Sequence, residues 1–326
     1  MGLMYATERD GGIYNQYSAG GVNAKDELLY FVRDNDGNGY YSFVDEDTDT
    51  LLKVFKIPAA WDDKDDGGNI TISGGSSRKI FMCLNRDQSS LYVACSGQTA
   101  INIYNTSDML ISGSPITTVL NTIQCMRIDK DGVLTVASHN GASNTNIDRF
   151  DTNNGNSQIG TTLNTGLGSY LFTMMYFTVE NYIVLGTTAT IRSFSLSGST
   201  YSNTGYITPT VSTVSDLTVD IYNNVVWIDT STYINKAKIV GASGGTIYRL
   251  SRTDLIYGIS TDSIGNYYYS SWTATDVQKI HKYANDGDTA DHFTGTFSVL
   301  RRNIATKCEN TDMFGYDVSG DGAAGR

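Results

Sequence analysis

Charge is scarce in this chain of 326 residues: Asp, Glu, Lys and Arg make up 17% of it, against about a quarter in an average soluble domain. The charge that exists leans acidic, with a net value of -11. Such a surface repels a phosphate backbone, so nucleic acid is excluded as a direct partner. No basic cluster accompanies an aromatic one, which removes the single-strand binding pattern as well. Long apolar runs are missing too. Glu180 interrupts the best of them, short of the roughly 18 to 20 residues of a membrane-spanning helix, and no membrane insertion is expected. Helical periodicity is absent, so no helix N-terminus is available to cradle a nucleotide phosphate.

The opening residues MGLMYATERDGG have neither a basic start nor an apolar stretch, and Ala6 stands where myristoylation wants Ser or Thr. A soluble protein made in the cytoplasm without a signal peptide is the expectation. The four cysteines, Cys83, Cys95, Cys125 and Cys308, lack metal-ligand spacing and fall in strand-like runs, where they read as small buried hydrophobes. Three prolines and no Pro-rich, charge-rich or low-complexity linker argue for one domain spanning residues 1–326.

What the chain does have is a repeat. Runs rich in Val, Ile, Tyr and Thr start at Tyr40, Leu91, Leu134, Tyr182, Val225, Tyr267 and Met313, separated by 51, 43, 48, 43, 42 and 46 residues. A period near 46 is that of a four-stranded propeller blade. Each of the first six runs follows another apolar stretch, often across a turn such as Asp34-Asn35-Asp36-Gly37, Asp129-Lys130-Asp131-Gly132, Tyr222-Asn223-Asn224 or Asp262-Ser263-Ile264-Gly265. Asp, Asn and Gly accept the backbone of tight hairpins. An apolar-x-x-aromatic element then returns at Leu52/Phe55, Ile101/Tyr104, Ile147/Phe150, Ile191/Phe194 and Ile280/Tyr283, and a Thr-rich strand such as NITIS, PITTV or TIYRL follows. The expectation is an all-β, seven-bladed β-propeller of four-stranded blades. Six full repeats occupy about 25–299, and the seventh blade comes from 303–326 plus 1–20, pairing N- and C-terminal strands to close the ring.

The element I-D-x-D-G-x-L-x-V-A at Ile128 to Ala137, with Ile147-x-x-Phe150 after it, resembles the repeat of NHL, YVTN and gluconolactonase-type propellers; Thr261-Asp262 through Ser270 is a degenerate copy. The resemblance implies the fold and no particular function. WD-repeat Gly-His and Trp-Asp pairing and the kelch double glycine are absent, and Ser260-x-Asp262-x-x-Gly265 is one residue too long for a sialidase Asp-box.

The sharpest local motif runs from Asp34 to Asp45. Asp34, Asp36 and Asn38 alternate, Gly39 follows, Tyr40 offers a carbonyl, and Asp45 stands where a bidentate Glu is usual, as in an EF-hand calcium loop. Sister repeats use similar Asp/Gly turns simply to reverse the chain, so a solvated hairpin is the competing reading; calcium is the one cofactor in view. The turn Asp317 to Gly322 lacks a closing carboxylate, and the run Asp62 to Asp66 reads as a solvated loop. For nucleophilic catalysis, His139, His281 and His292 lie apart and no G-x-S-x-G elbow accompanies them. A gluconolactonase-type mechanism implies an axial divalent cation, for which Glu27, Asn85, Asp216 and Asp254 are candidates.

The connections SHNGASNTN, DTSTYIN and SWTATDVQ are polar, nearly uncharged and sparsely aromatic. His139, Asn140, Tyr233 and Trp272 in or beside them are candidate partner-binding residues, since Tyr and Trp bring contact area at low entropic cost and Asn adapts its hydrogen bonds. Tyr is also a favoured strand filler. The leading expectation is a non-enzymatic propeller that docks other proteins, as a subunit of a large assembly such as a virion or tail structure, whose composition it resembles. A metal-dependent lactonase or esterase with an axial site is the alternative, and a glycan-binding module a further one.

Overall fold

The computed structural model describes strands and turns between residues 27 and 309; residues 1–26, 298–307 and 310–326, and a number of internal loops, lie outside the described residues. The described strands form six sheets, each built on four antiparallel strands in chain order, two of them with a fifth short strand added. The first sheet holds Glu27–Arg33, Gly39–Val44, Leu52–Ile57 and Asn69–Ile72. The second holds Ile80–Leu84, Ser90–Cys95, Ala100–Asn105 and Ile116–Thr117, and the third Thr122–Ile128, Val133–His139, Thr145–Asp151 and Ser157–Gln158. In the third sheet a further short strand, Leu163–Asn164, also pairs with Thr145–Asp151. The fourth holds Met174–Phe177, Tyr182–Gly186, Ile191–Ser197 and Thr200–Ile207; the fifth Val214–Val219, Asn224–Asp229, Tyr233–Lys238 and Thr246–Ser251. The sixth holds Leu255–Thr261, Tyr267–Trp272, Gln278–Tyr283 and Asp291–Phe297. The first six β-rich runs of the repeat supply the second strand of every sheet.

The first strands of consecutive sheets touch one another in chain order, from Glu27–Arg33 round to Leu255–Thr261. Each sheet therefore radiates outward from its first strand and packs face to face on its neighbours, which is the arrangement of propeller blades. Side-chain alternation explains why the second strands are buried on both faces. Leu91, Val93 and Cys95 join Tyr40, Val54 and Ile70 of the first sheet. Their neighbours Tyr92 and Ala94 join Ile123, Met126, Leu134 and Val136 of the third. The fifth sheet repeats this: Val225 and Trp227 pack with Val184 and Ile191 of the fourth, and Val226 and Ile228 with Ile256, Ile259, Tyr267 and Tyr269 of the sixth. Each fully buried aliphatic side chain contributes about 1.5–3 kcal/mol, and the sandwiched strand collects it on both sides. Cys83, Cys95 and Cys125 are buried in these strands, as their sequence context suggests, and burial pushes the Cys95 thiol up to about 11.

Of the expected closing blade, 1–20 and most of 303–326 lie outside the described residues. Cys308–Glu309 is described: it runs parallel to Phe31 and Val32, at the inner edge of the first sheet. Among the described residues no helix is long and apolar enough to cross a membrane.

Candidate functional site

Antiparallel order puts the first-to-second and third-to-fourth turns at one end of each sheet and the second-to-third connections at the other. The turn end is tied together by a device the repeat carries in several copies. An Asp closing the first strand donates its N–H to the carbonyl four residues on, in Asp34 to Asn38, Asp129 to Val133 and Asp220 to Asn224. Its carboxylate accepts the returning N–H of that same residue, at 2.7, 2.9 and 2.9 Å. The second sheet uses Asn85 with a turn one residue longer, its Oδ1 accepting the Ser90 N–H at 2.9 Å. Carboxylate and carboxamide serve because each presents an acceptor oxygen at Asx-turn reach.

The Asp34 carboxylate is engaged further. Asn38 Nδ2 donates to it at 2.8 Å and the buried Tyr40 hydroxyl at 3.1 Å. Burial, and then the adjacent Asp34 charge, push the Tyr40 phenol far above its usual value. Asp36 is exposed, and Asp45 lies outside the described residues. The arrangement is that of a hairpin staple, with Asn38 and Tyr40 both joined to Asp34. Among the described residues no group of three His, Cys, Asp or Glu side chains is arranged to hold a metal ion.

In the fifth sheet the staple reaches outward. Lys236 lies 3.3 Å from the wholly buried Asp220 carboxylate, donates to the Tyr267 hydroxyl of the sixth sheet at 2.5 Å, and sits 5.1 Å from that ring's centroid. Burial pulls its pKa down, but Tyr267 and Asp220 outweigh this and hold it above the ordinary lysine value. Lys56 occupies the same register position in the first sheet and donates to the Thr106 carbonyl of the second at 2.6 Å. Arg149 occupies it in the third, beside Asp129. Turns are also stitched to turns: Thr106 Oγ1 donates to the Gln88 carbonyl, Thr152 Oγ1 to the Gly132 carbonyl, and Asn153 Nδ2 to the Asp131 carbonyl. Gly132 is required there, because its φ is +78° and a Cβ would stand 2.5 Å from Asn153 Nδ2.

Among the described residues this turn end carries three exposed large apolar residues, Leu110 at 66%, Ile111 at 69% and Tyr222 at 55%; Tyr222 belongs to a hairpin turn of the repeat, whereas Leu110 and Ile111 are not signalled by it. In the turn after Asn105, Met109 takes a left-handed backbone (φ 58°) and buries its side chain. Leu110 and Ile111 are left facing outward. The available signal was three adjacent bulky apolar residues, Met109 to Ile111, between Asp108 and Pro115 in a stretch otherwise rich in Ser and Gly.

The opposite end collects the candidate partner-binding residues. His139 ends the second strand of the third sheet, Tyr233 opens the third strand of the fifth, and Trp272 ends the second strand of the sixth. Asn140 lies outside the described residues, as does Asp254. His139 and Tyr233 are half-buried, and burial lowers the His139 pKa. Of the axial candidates, Glu27 opens the first strand of the first sheet and Asp216 lies in the first strand of the fifth, at a bulge, whereas Asn85 is spent at the turn end. His281 stacks on Tyr269 at 4.6 Å, inside the sixth sheet's packing, and His292 lies on the neighbouring outermost strand of that sheet, whereas His139 belongs to the third sheet.

No family model matches the chain, and no curated protein does either. Solved structures do resemble it. A chain of a mitotic checkpoint complex superposes with a TM-score of 0.57 at 13% identity, covering 83% of this chain and 77% of that one. The WD40 β-propeller domain of Doa1 gives 0.54 at 13% identity, covering 84% and 83%. At that identity the likeness shows the fold: this is an all-β protein of the β-propeller class.

Proposed function

We propose that this protein is a non-enzymatic interaction propeller that docks other proteins. The observation that carries the reading is the exposed Leu110–Ile111 pair, held outward by a turn whose neighbours are stitched in place. Exposed apolar side chains on a rigid frame are the anchors from which protein contacts are made. The second-to-third connections around His139, Asn140, Tyr233 and Trp272 supply an adaptable polar surface at the other end. The finer reading is a ring of seven blades with NHL-type repeats, closed by residues 303–326 and 1–20, in a soluble protein that serves as a subunit of a large assembly such as a virion or tail structure. The repeat period supports the blade count, and the low charge with abundant Ser, Thr, Asn and Tyr supports the assembly role.

The test is to isolate the native protein under mild cross-linking, identify what co-purifies, and repeat with the double variant Leu110→Ser/Ile111→Ser. Loss of a stoichiometric protein partner in the variant is the expected result. A lactone and ester hydrolysis screen with calcium, zinc and manganese separates the rival class: turnover abolished by changing an inward carboxylate overturns the interaction reading. Binding on a glycan array without any protein partner transfers the role to carbohydrate.

A further inference from the structure

Trp227 and Asn235 stand directly opposite each other on the second and third strands of the fifth sheet, and both are wholly buried. Opposed residues in an antiparallel pair project to the same face. Trp227 packs with Val184 and Ile191, so that face is the one turned to the fourth sheet. The indole Nε1 and both amide atoms of Asn235, Oδ1 and Nδ2, are buried without a hydrogen-bond partner among the described residues. Asp229, also wholly buried, lies on the same face two pairs nearer the second-to-third connection.

We infer that the seam between the fourth and fifth sheets holds a site for internal water, built by Trp227 and Asn235. Buried polar side chains in folded proteins are satisfied by protein or by ordered water. The chemistry of the set selects water. Nε1–H and Nδ2–H donate while Oδ1 accepts, so the occupant must both accept and donate. A cation would meet two N–H dipoles of the wrong sense, and an anion would meet Oδ1 with the Asp229 carboxylate on the same face. The third sheet offers a comparison in which protein groups reach one oxygen of the equivalent side chain. Asp148, at the register position of Asn235, receives Thr162 Oγ1 and Gln158 Nε2 from its own sheet. In the fifth sheet water takes the part those side chains play.

The decisive measurement is a crystal structure of the full chain at about 1.5 Å, where an ordered water within about 3 Å of Nε1 and of the Asn235 amide is expected. An empty seam, a direct Trp227–Asn235 hydrogen bond, or a coordinated metal overturns the inference. In solution, the indole proton of Trp227, assigned by its loss in Trp227→Phe, is expected to show a cross-peak to long-lived water that disappears in Asn235→Leu. A cross-peak that survives in folded Asn235→Leu overturns Asn235 as the holder of the water. Should that variant not fold, the wild-type density and cross-peak decide alone.

Discussion

Replacing Asp220 by Ala leaves four groups stranded at once. Its carboxylate accepts the N–H groups of Tyr222 and Asn224 at 2.9 Å, receives Asn224 Nδ2 at 2.8 Å, and neutralises Lys236 at 3.3 Å from a wholly buried position. Hydrogen bonds to a charged group contribute about 1.5–3 kcal/mol each, and removing one partner of a buried ion pair costs about 3–5 kcal/mol. These contributions overlap at one side chain, so the expected loss for Asp220→Ala is about 4 kcal/mol, read as a fall in the urea midpoint followed by tryptophan fluorescence. Adding Lys236→Met to that variant removes the stranded charge. The double-mutant cycle should then recover about 1–3 kcal/mol, the coupling expected of residues in one network. Asp220→Asn keeps the turn acceptor but not the counter-charge and should fall between wild type and Ala. A loss for Asp220→Ala under about 1 kcal/mol, or strict additivity with Lys236→Met, refutes the staple as a stabilising device.

The Asp129 carboxyl is held above the usual carboxylate value, first by burial and against the pull of its N–H donors. A raised folded pKa means stability is lost as pH rises through it, so Asp129→Asn, which keeps an acceptor as Asn85 does, should match or exceed wild type at pH 7. That advantage should shrink as the pH falls through the range in which the carboxyl takes up its proton, and Asp129→Ala should lose about 1–2 kcal/mol at either end of that range. Lys236 is raised, so its contribution is present below the ordinary lysine value and lost as pH climbs through the folded one; Lys236→Met should flatten the alkaline limb of a melting-temperature profile. Leu110→Ser/Ile111→Ser should abolish partner capture while shifting stability by less than about 0.5 kcal/mol, since both side chains are exposed; a cooperative loss of folding would show the pair to be structural. Calcium titrated calorimetrically should give a flat isotherm, because the Asp34 carboxylate is engaged by Asn38 and Tyr40; a binding heat that disappears in Asp36→Asn would assign the loop to the metal.

Strand identity was legible in the sequence because a β-run sandwiched between two sheets must be apolar on both faces. That leaves the near-continuous signal of LYVACS, LTVASH and VVWIDT, and a 46-residue period repeats it. The hairpin turns were equally legible, since Asp, Asn and Gly declare the local backbone they permit. Which oxygen serves which donor was not. Asp34-Asn35-Asp36-Gly37-Asn38 has the spacing of a cation loop, yet its first carboxylate turns inward on Asn38 and Tyr40, and only the returning strand decides that direction. The Leu110–Ile111 pair escaped for a similar reason: the left-handed backbone at Met109 determines which of three consecutive apolar residues is buried. The Lys236 bridge and the Trp227–Asn235 seam lie further still from sequence reach, because each depends on how one sheet is rotated against the next. Local pattern therefore determined strands, turns and their period, whereas the packing of neighbouring sheets decided which polar groups are spent on the fold and which residues remain to meet a partner.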